Sequence, residues 1–297
     1  MAHTLSDMML GAYRSMGLAT VGTATAGSST TLSDSSLITT TQDNQFNNAV
    51  LFIISDGGAT TAIAGQARKV TSYAASSGQF TFTSLAGSVN ASAVYAFTTP
   101  EFGLELMTEL ANDALRALGP LQFMDKNTIT SSSPQQEYTA QLAWKYAKPD
   151  QIDLQTRLGS TANYNDWVTL HNWSYEPSTA GATGRLIFGD QLPTGRKVRV
   201  WFRDLHHRVT ASTALIDERV HLELCIISLM EKCYQFRNSL TRGSEPFDVQ
   251  RWKDVEQQLQ KAKGDFPIWR ERRQPKIFAL GDEAKDHAPW VRPYGPG

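Results

Sequence analysis

Residues 17–37 read GLATVGTATAGSSTTLSDSSL, and they open a block of short β-prone stretches that continues to Thr98. β-Branched and aromatic residues favour strands, whereas the Ser and Gly residues between them favour turns. The block is almost uncharged, and its charged residues are Asp34, Asp43, Asp56, Arg68 and Lys69. Such a segment is weakly solvated, and its hydroxyl groups satisfy the backbone locally. The composition therefore favours a small β module that rests against neighbouring protein over a freely diffusing enzyme domain.

Turn residues divide this block into strands. The predicted strands are Thr20–Thr25 and Ser29–Leu32 as one hairpin, Ala49–Ile54 as a buried strand, Gln66–Tyr73 and Gln79–Thr83 as a second hairpin, and Ala93–Thr98. Several short strands at this spacing are typical of a compact barrel or sandwich.

Helices flank the block on both sides and return near the end of the chain. The apolar spacing predicts a helix over Leu5–Met16, with Thr4 or Ser6 as its N-cap and Gly17 as its stop. It also predicts a helix over Phe102–Leu118, opened by Pro100, a long helix over Ala214–Leu240 and a last helix over Asp248–Lys263.

A second β region lies between the second and third helices and is predicted to begin near Asn127. Its strands are Glu137–Tyr146, Ile152–Leu158, Trp167–Glu176, Gly184–Phe188 and Lys197–Arg203. The last of them alternates, which puts Val198, Val200 and Phe202 on one face and Lys197, Arg199, Trp201 and Arg203 on the other.

Beyond Gly264 the chain loses its periodicity and gains prolines, which predicts an extended arm. The arm carries apolar residues that disordered tails usually lack, so we interpret it as a strap across another protein surface. The residues predicted to bind a neighbouring protein are Trp269, Arg270, Arg272, Arg273, Ile277, Phe278, Leu280, Trp290 and Tyr294.

These elements predict an α+β fold: a small helical bundle with two inserted antiparallel β modules, each a small barrel or sandwich, and an extended C-terminal arm. The predicted boundaries are 1–16 for the first bundle helix, 17–99 for the first β module, 100–120 for a bundle helix, 121–210 for the second β module, 211–264 for two bundle helices and 265–297 for the arm.

The net charge limits the classes of partner that this protein is expected to bind. The 297 residues carry a net charge of −1, which argues against a dedicated nucleic-acid binder. Only a few cations could make non-specific contact with DNA, and the residues with the chemistry for it are Lys197, Arg199, Arg203 and Arg208. We interpret the same cations, by preference, as a protein–protein rim or a solvated face.

Targeting and redox signals are sparse. The first seven residues lack the features of a secretory signal, and no apolar run approaches the roughly 20 residues of a membrane helix. Cys225 and Cys233 lie eight positions apart on one predicted helix, about 12 Å by helix geometry. That separation exceeds the roughly 7 Å that a disulfide allows, so both are predicted to be buried thiols in a reducing compartment.

Residues for catalysis or metal binding are few. Glu218 and His221 have the i, i+3 spacing of a carboxylate-bridged metal site, but that chemistry needs a second such pair. His206 and His207 are interpreted as hydrogen-bonding residues at a strand-to-helix corner. No serine lies in a nucleophile elbow, and no glycine-rich stretch carries a phosphate-loop lysine. The sequence therefore predicts no enzyme, no metal and no cofactor.

Three segments resemble structural proteins of tailed bacteriophages. One is residues 17–37, with its Thr-rich strand, Gly turn and Leu-Ser-Asp-Ser corner. The others are the module-closing pattern of Arg68–Tyr73 with Gly78–Phe82, and the stretch Leu192–Phe202 ahead of a long helix. The resemblance covers about half of the chain.

This resemblance implies a head–tail connector: a neck adaptor ring of about twelve copies that joins the portal protein to tail or nozzle proteins. It implies assembly in the cytoplasm of the bacterial host and a final place in the virion neck, with no catalytic residues to transfer. A tail-tip or fibre-attachment protein is the first alternative. A carbohydrate-binding or hydrolytic module of a tail is the second, and it would use the aromatic residues Trp144, Tyr146, Tyr164, Trp167, Trp173 and Tyr175.

Overall fold

The computed structural model describes residues 3–38, 42–58, 61–141, 144, 148–156, 167–177, 179, 183–241 and 246–268. It is a mixed α+β protein with four helices and three antiparallel sheets in this described part. The chain divides into two compact units. Unit 1 contains residues 1–120 and 205–269, and the described residues of unit 2 fall within 121–204.

All four helices lie in unit 1. The first helix confirms the prediction over Leu5–Met16 to within one residue. Helix α1 spans Leu5–Ser15 and begins with a capping box, in which the Thr4 hydroxyl accepts from the Asp7 N–H and the Asp7 carboxylate accepts from the Thr4 N–H. Gly17 follows the helix at φ +74°, the left-handed conformation that glycine adopts most readily.

The other three helices are α2 at Leu104–Ala117, α3 at Leu222–Thr241 and α4 at Pro246–Asp265. Helix α3 contacts α1, α2 and α4, which explains why much of its circumference is apolar. Pro100 does not open α2, because the helix takes Gly103 as its N-cap.

The predicted start of the long helix at Ala214 is wrong, since α3 begins eight residues later. Residues 212–216 instead run beside residues 3–6, at the start of α1. The Leu5 N–H donates to the Ala214 carbonyl and the Ile216 N–H donates to the His3 carbonyl, each at 2.8–2.9 Å. These backbone groups are used by a non-local partner and so cannot close helical turns.

Unit 1 also contains a seven-stranded sheet in the order β1-β7-β4-β5-β6-β3-β2. Its strands are β1 Ala19–Thr23, β2 Ala26–Gly27, β3 Thr31–Ser33, β4 Val50–Ser55, β5 Ala67–Ala74, β6 Gln79–Phe82 and β7 Val94–Thr98. The hairpin of β5 and β6 is confirmed. The hairpin predicted between Thr20–Thr25 and Ser29–Leu32 is wrong, because β1 pairs with β7, and β3 pairs with the short β2 and with β6.

The Leu-Ser-Asp-Ser corner organises this module around one buried carboxylate. Asp34 accepts hydrogen bonds from the Tyr95 hydroxyl at 2.7 Å and from the Ser36 hydroxyl at 2.6 Å. A Cβ at Gly22 would lie 2.7–2.8 Å from the Tyr95 ring and the Asp34 carboxylate, so only glycine fits there. The aromatic core of the module includes Phe80 and Tyr95, both fully buried.

Unit 2 contains the other two sheets. The four-stranded sheet has the order β11-β10-β14-β8, from β8 Leu121–Thr130, β10 Gln151–Gln155, β11 Trp167–Leu170 and β14 Lys197–Asp204. The three-stranded sheet has the order β12-β13-β9, from β9 Glu137–Thr139, β12 Trp173–Glu176 and β13 Arg185–Phe188. One apolar core, which includes Trp144, Ile152 and Val200, is shared by residues of both sheets.

Three strand predictions in this region need correction. The region begins at Leu121 rather than near Asn127, and the strand at Glu137 ends at Thr139 rather than continuing to Tyr146. The single strand predicted over Trp167–Glu176 is two strands in different sheets, divided at His171. A hydrogen bond of 3.2 Å from the Trp173 N–H to the His171 carbonyl turns the chain there.

No helix in the described part of the chain is long and apolar enough to cross a membrane.

Candidate interaction site

The outer face of the four-stranded sheet in unit 2 is the best-defined candidate site. Strand β14 alternates as predicted: Val198 and Val200 are buried in the core, whereas Arg199 and Trp201 point to the opposite face. Trp167 of β11 and Asp153 of β10 join them on that side, because Val168 and Leu154 beside them pack into the core. We call the surface formed by Trp167, Arg199 and Trp201 the Trp–Arg face.

Arg199 is held between the two indole rings. Its guanidinium carbon lies 4.6 Å from the centre of the Trp167 ring and 5.1 Å from the centre of the Trp201 ring. Cation–π contacts of this kind stabilise a partly desolvated arginine and fix its plane. The arginine side chain is 12% exposed, so the face presents mainly flat aromatic surface with one immobilised charge.

Asp153 neutralises that charge from the neighbouring strand, where it is the register partner of Arg199. Its carboxylate is 1% exposed and lies 2.7 Å from Arg199 Nη2. It also accepts from Trp201 Nε1 at 2.8 Å and from the Thr169 hydroxyl at 2.9 Å, and the Gln151 side-chain amide donates to it as well. Burial alone would raise the pKa of Asp153, but these hydrogen bonds and the Arg199 charge together lower it.

This arrangement suits binding rather than proton transfer. A carboxylate offers about four acceptor positions, and the donors around Asp153 occupy them. Asp153 is therefore not available as a general base or a metal ligand. The rigid indole and guanidinium surface above it can take a flat apolar or planar polar group.

Three of the four cations predicted to contact DNA form an ion pair with a carboxylate. Besides Arg199, Arg203 Nε lies 2.9 Å from Asp150, and Arg208 bonds Glu109. Arg208 belongs to unit 1, whereas the other three cations belong to unit 2. Lys197 uses its backbone N–H to bond Gln155. Contact of these residues with DNA stays a prediction.

The predicted arm residues lie outside the described residues, from Trp269 onward. The chain leads towards them through Phe266, whose ring stacks on His221 at 4.2 Å with the two planes 7° apart. His221 falls within the helix predicted over Ala214–Leu240. It instead precedes α3, where its Nδ1 accepts from the Glu223 N–H.

The remaining residues considered for metal binding or catalysis are the histidines, Glu218 and the two cysteines. No group of three metal-ligating side chains occurs among them, so Glu218 and His221 gain no further ligands there. His206 is buried and forms a hydrogen bond as interpreted, since its Nε2 accepts from the Asp217 N–H at 3.1 Å, but α3 begins only at Leu222 and His206 does not lie at a strand-to-helix corner. Burial raises the pKa of the Cys225 and Cys233 thiols to about 12, so both are unreactive.

The aromatic residues of the carbohydrate alternative are divided by the fold. Trp144 is fully buried, and Trp173 and Tyr175 pack against the same core. Trp167 alone of the described members reaches the Trp–Arg face, while Tyr146 and Tyr164 lie outside the described residues. Sequence reasoning did not select Trp201 or Asp153 as site residues. The alternation of β14 did place Trp201 on the same face as Arg199, but no local signal identifies Asp153.

No protein-family model matches the sequence, and no curated protein is significantly similar to it.

Proposed function

We propose that this chain is a structural protein of a tailed-bacteriophage virion that catalyses no reaction. In this proposal it forms a homo-oligomeric ring at the neck and joins the portal to the tail. The observation that carries the proposal is the nearly uncharged β module of unit 1, which suits burial against neighbouring subunits.

Four of the five charged residues of that module have their charge used within unit 1. Asp34 is buried, Asp43 accepts from the Ala75 N–H at 2.7 Å, and Asp56 accepts from the Gly58 N–H at 3.3 Å. Lys69 lies 3.7 Å from Glu105 of α2. A surface with so little free charge loses little hydration when another protein covers it, which favours association.

The finer architecture is part of the proposal. Helices α1 to α4 form the bundle, the β modules predicted over 17–99 and 121–210 are small barrels or sandwiches inserted into it, and the arm predicted over 265–297 is extended. Ring contacts join two different surfaces of adjacent copies, so the neutral module of one copy would meet a different surface of the next. The number of copies, about twelve, comes from the resemblance alone.

The arm supplies the contact with the portal or another neighbour, through its apolar residues and its basic cluster at Arg270–Arg273. Tail or nozzle proteins are the partners on the other side. Contact with packaged DNA is weak and salt-sensitive in this proposal, since few cations are involved.

Deletion of Arg270–Gly297 tests the arm. The cut retains α4 and the stack of Phe266 on His221, so we expect the shortened protein to keep the circular dichroism spectrum and thermal midpoint of the full chain. We expect it to be missing from particles produced by a phage that carries the deletion. Incorporation at the normal level would contradict the role of the arm.

Two matched full-length variants separate apolar anchoring from charge. One replaces Trp269, Phe278 and Trp290 with alanine, and the other replaces Arg270, Arg272 and Arg273 with glutamine. We expect the apolar variant to lose attachment at all salt concentrations and the basic variant to retain attachment at low salt. The position of a gold-labelled subunit in electron micrographs of virions then distinguishes the neck from the tail-tip or fibre-attachment alternative.

The Trp–Arg face favours one further candidate, a carbohydrate-binding module of a tail, because sugar rings stack on indoles and both of its indoles are partly exposed. A glycan array probed with the purified protein and with Trp167→Ala tests it. Binding that Trp167→Ala abolishes would favour this candidate, and the absence of binding would leave the neck proposal as the better one.

A further inference from the structure

Unit 1 contains a polar pocket that none of the preceding roles uses. Its cavity volume is about 510 Å³, and strand β5, helix α2 and the loop at 210–213 line it. The polar side chains of the lining include Arg68, Gln66, Thr108 and Ser212. All of these residues belong to unit 1, so the pocket lies within one compact body.

Arg68 is the only charged residue of the lining, and neutral groups hold it in place. Its Nε donates to the Ser84 carbonyl at 2.9 Å, one Nη donates to the Ala67 carbonyl at 2.8 Å, and the other donates to Gln66 Oε1 at 2.9 Å. Gln66 is itself fixed, because its Oε1 also accepts from the Ala86 N–H. The guanidinium is therefore rigid before any ligand arrives.

The charge of Arg68 has no counter-ion among the described residues. Burial is what lowers the pKa of its guanidinium, with no compensating carboxylate. Its neighbour Lys69 forms an ion pair with Glu105, and Arg208 forms one with Glu109. Arg199 and Arg203 likewise have carboxylate partners, Asp153 and Asp150.

The pocket offers further hydrogen-bond donors. A guanidinium has five N–H groups, and the three bonds described leave two of them for a ligand. Ser212 Oγ accepts from the Ala67 N–H, which leaves the hydroxyl proton free to donate. The rest of the lining includes Ala67, Ala86, Ala211 and Leu104, whose apolar surfaces can contact an alkyl chain.

We propose that this pocket binds a carboxylate carried on a short alkyl chain, namely a glutamate or aspartate side chain presented by a partner protein. A planar carboxylate matches the fork of an arginine, and the alanine walls match the methylenes. A nucleic-acid backbone fits poorly, because its binding needs several cations and the pocket has one. The inference is independent of the neck proposal, since it concerns one pocket and not a place in a virion.

The first test uses small probes and the full-length protein labelled with ¹⁵N-arginine. N-acetyl-glutamate N-methylamide should shift the Arg68 Nε–H signal saturably, and the glutamine analogue should bind at least tenfold more weakly. Acetate, which represents a free small acid, and dimethyl phosphate, which represents a nucleic acid, should also bind at least tenfold more weakly. Equal or tighter binding of any of these three, or no saturable shift, would overturn the proposal.

The second test places a carboxylate in the pocket without touching Arg68. Thr108 lines the pocket from α2, and its hydroxyl bonds only the Leu104 carbonyl of its own helix. Thr108→Glu should raise the thermal midpoint above that of Thr108→Gln, and it should weaken probe binding at least tenfold relative to Thr108→Gln. Glutamate and glutamine have similar helix propensity, so the comparison isolates the charge.

Arg68→Gln assigns the NMR signal and completes the comparison. In that background the advantage of Thr108→Glu over Thr108→Gln should vanish. Should Arg68→Gln fail to fold through loss of its three bonds, the probe titrations of the two Thr108 variants decide alone. Equal probe binding by Thr108→Glu and Thr108→Gln would overturn the proposal.

Discussion

At the scale of single residues, two buried carboxylates show how this protein keeps charge inside. Asp34 in unit 1 is 4% exposed and takes its hydrogen bonds from neutral donors, the Tyr95 and Ser36 hydroxyls and the Ser36 N–H. Asp153 in unit 2 takes neutral donors and a guanidinium. Burial alone would raise both pKa values, yet the hydrogen bonds win and both pKa values are lowered. Both groups are therefore ionised at neutral pH and stabilise the fold in that form.

Replacement of Asp153 with asparagine should destabilise unit 2 by about 3 kcal/mol, because it leaves the Arg199 guanidinium largely buried without a counter-ion. Asp150→Asn is the matched control. It breaks the more exposed pair with Arg203 and should cost under about 1 kcal/mol. Denaturant unfolding followed by tryptophan fluorescence measures both, since four of the seven tryptophans lie in 121–204. Equal losses for the two variants would contradict the role of Asp153.

The same substitution should change the response to acid. The pKa of Asp153 in the folded protein lies below its ordinary value of about 3.9. The stability it contributes is therefore present above about pH 4 and is lost as pH falls through the folded value. In the wild-type protein the free energy of unfolding of unit 2 should therefore fall below pH 4. In the Asp153→Asn variant it should depend less on pH in this range.

At the scale of elements, the close approach of α1 to α3 depends on one glycine. A Cβ at Gly11 would lie 2.4 Å from Ile226 Cδ1 and 2.9 Å from its Cγ1. Alanine would otherwise favour the helix by about 0.5–1 kcal/mol, so the glycine is retained for packing and not for propensity. The helices pack at this point as a small residue against a large one.

We expect Gly11→Ala to destabilise unit 1 by about 1–2 kcal/mol, since overpacking exceeds the gain in propensity. Ile226→Val removes the Cδ1 atom and costs about 1 kcal/mol in the wild-type chain. In the Gly11→Ala chain the same change should stabilise, because it relieves the clash. Thermal unfolding of the four chains measures this reversal of sign. Additive effects of the two substitutions would show that the helices simply move apart.

The elements also show how far the sequence predicts the fold. Periodicity located α1, α4 and the alternation of β14, because these depend on which face is buried. It placed the start of α3 eight residues too early, because Leu215 and Val220 continue the apolar period. The backbone of residues 212–216 forms hydrogen bonds with residues 3–6 instead of closing helical turns. It paired β1 with its neighbour in sequence, whereas the true partner β7 lies more than 70 residues away. No local pattern in the sequence indicates such long-range strand pairing.

The candidate site follows the same rule. One strand, β14, was predicted to place Arg199 and Trp201 on a polar face, and it does. The carboxylate and the second indole come from β10 and β11, which only the tertiary fold brings beside it. The Arg68 pocket joins β5 with a loop some 140 residues later, so no spacing in the sequence indicates it.

At the scale of the whole molecule, unit 2 is an insertion whose two ends meet. Leu121 at the start of β8 is the register partner of Asp204 at the end of β14. On re-entering unit 1, the chain is held at once by a reciprocal pair of bonds between Asn112 and the backbone of Val209, both at 2.8 Å. Each unit therefore contains the contacts that close its own chain.

Because paired residues of antiparallel strands lie about 5 Å apart, a linker of a few glycine and serine residues can join Pro120 to Leu205. We expect the chain that lacks 121–204 to fold, and the isolated fragment 121–204 to fold by itself, each with a cooperative thermal transition and dispersed NMR amide signals. Deletion of 131–204 is the control. It leaves β8 without β14, and we expect it to aggregate through the exposed strand. Loss of cooperativity in the chain lacking 121–204 would mean that unit 1 depends on unit 2, and that the bonds between Asn112 and Val209 do not suffice to close it.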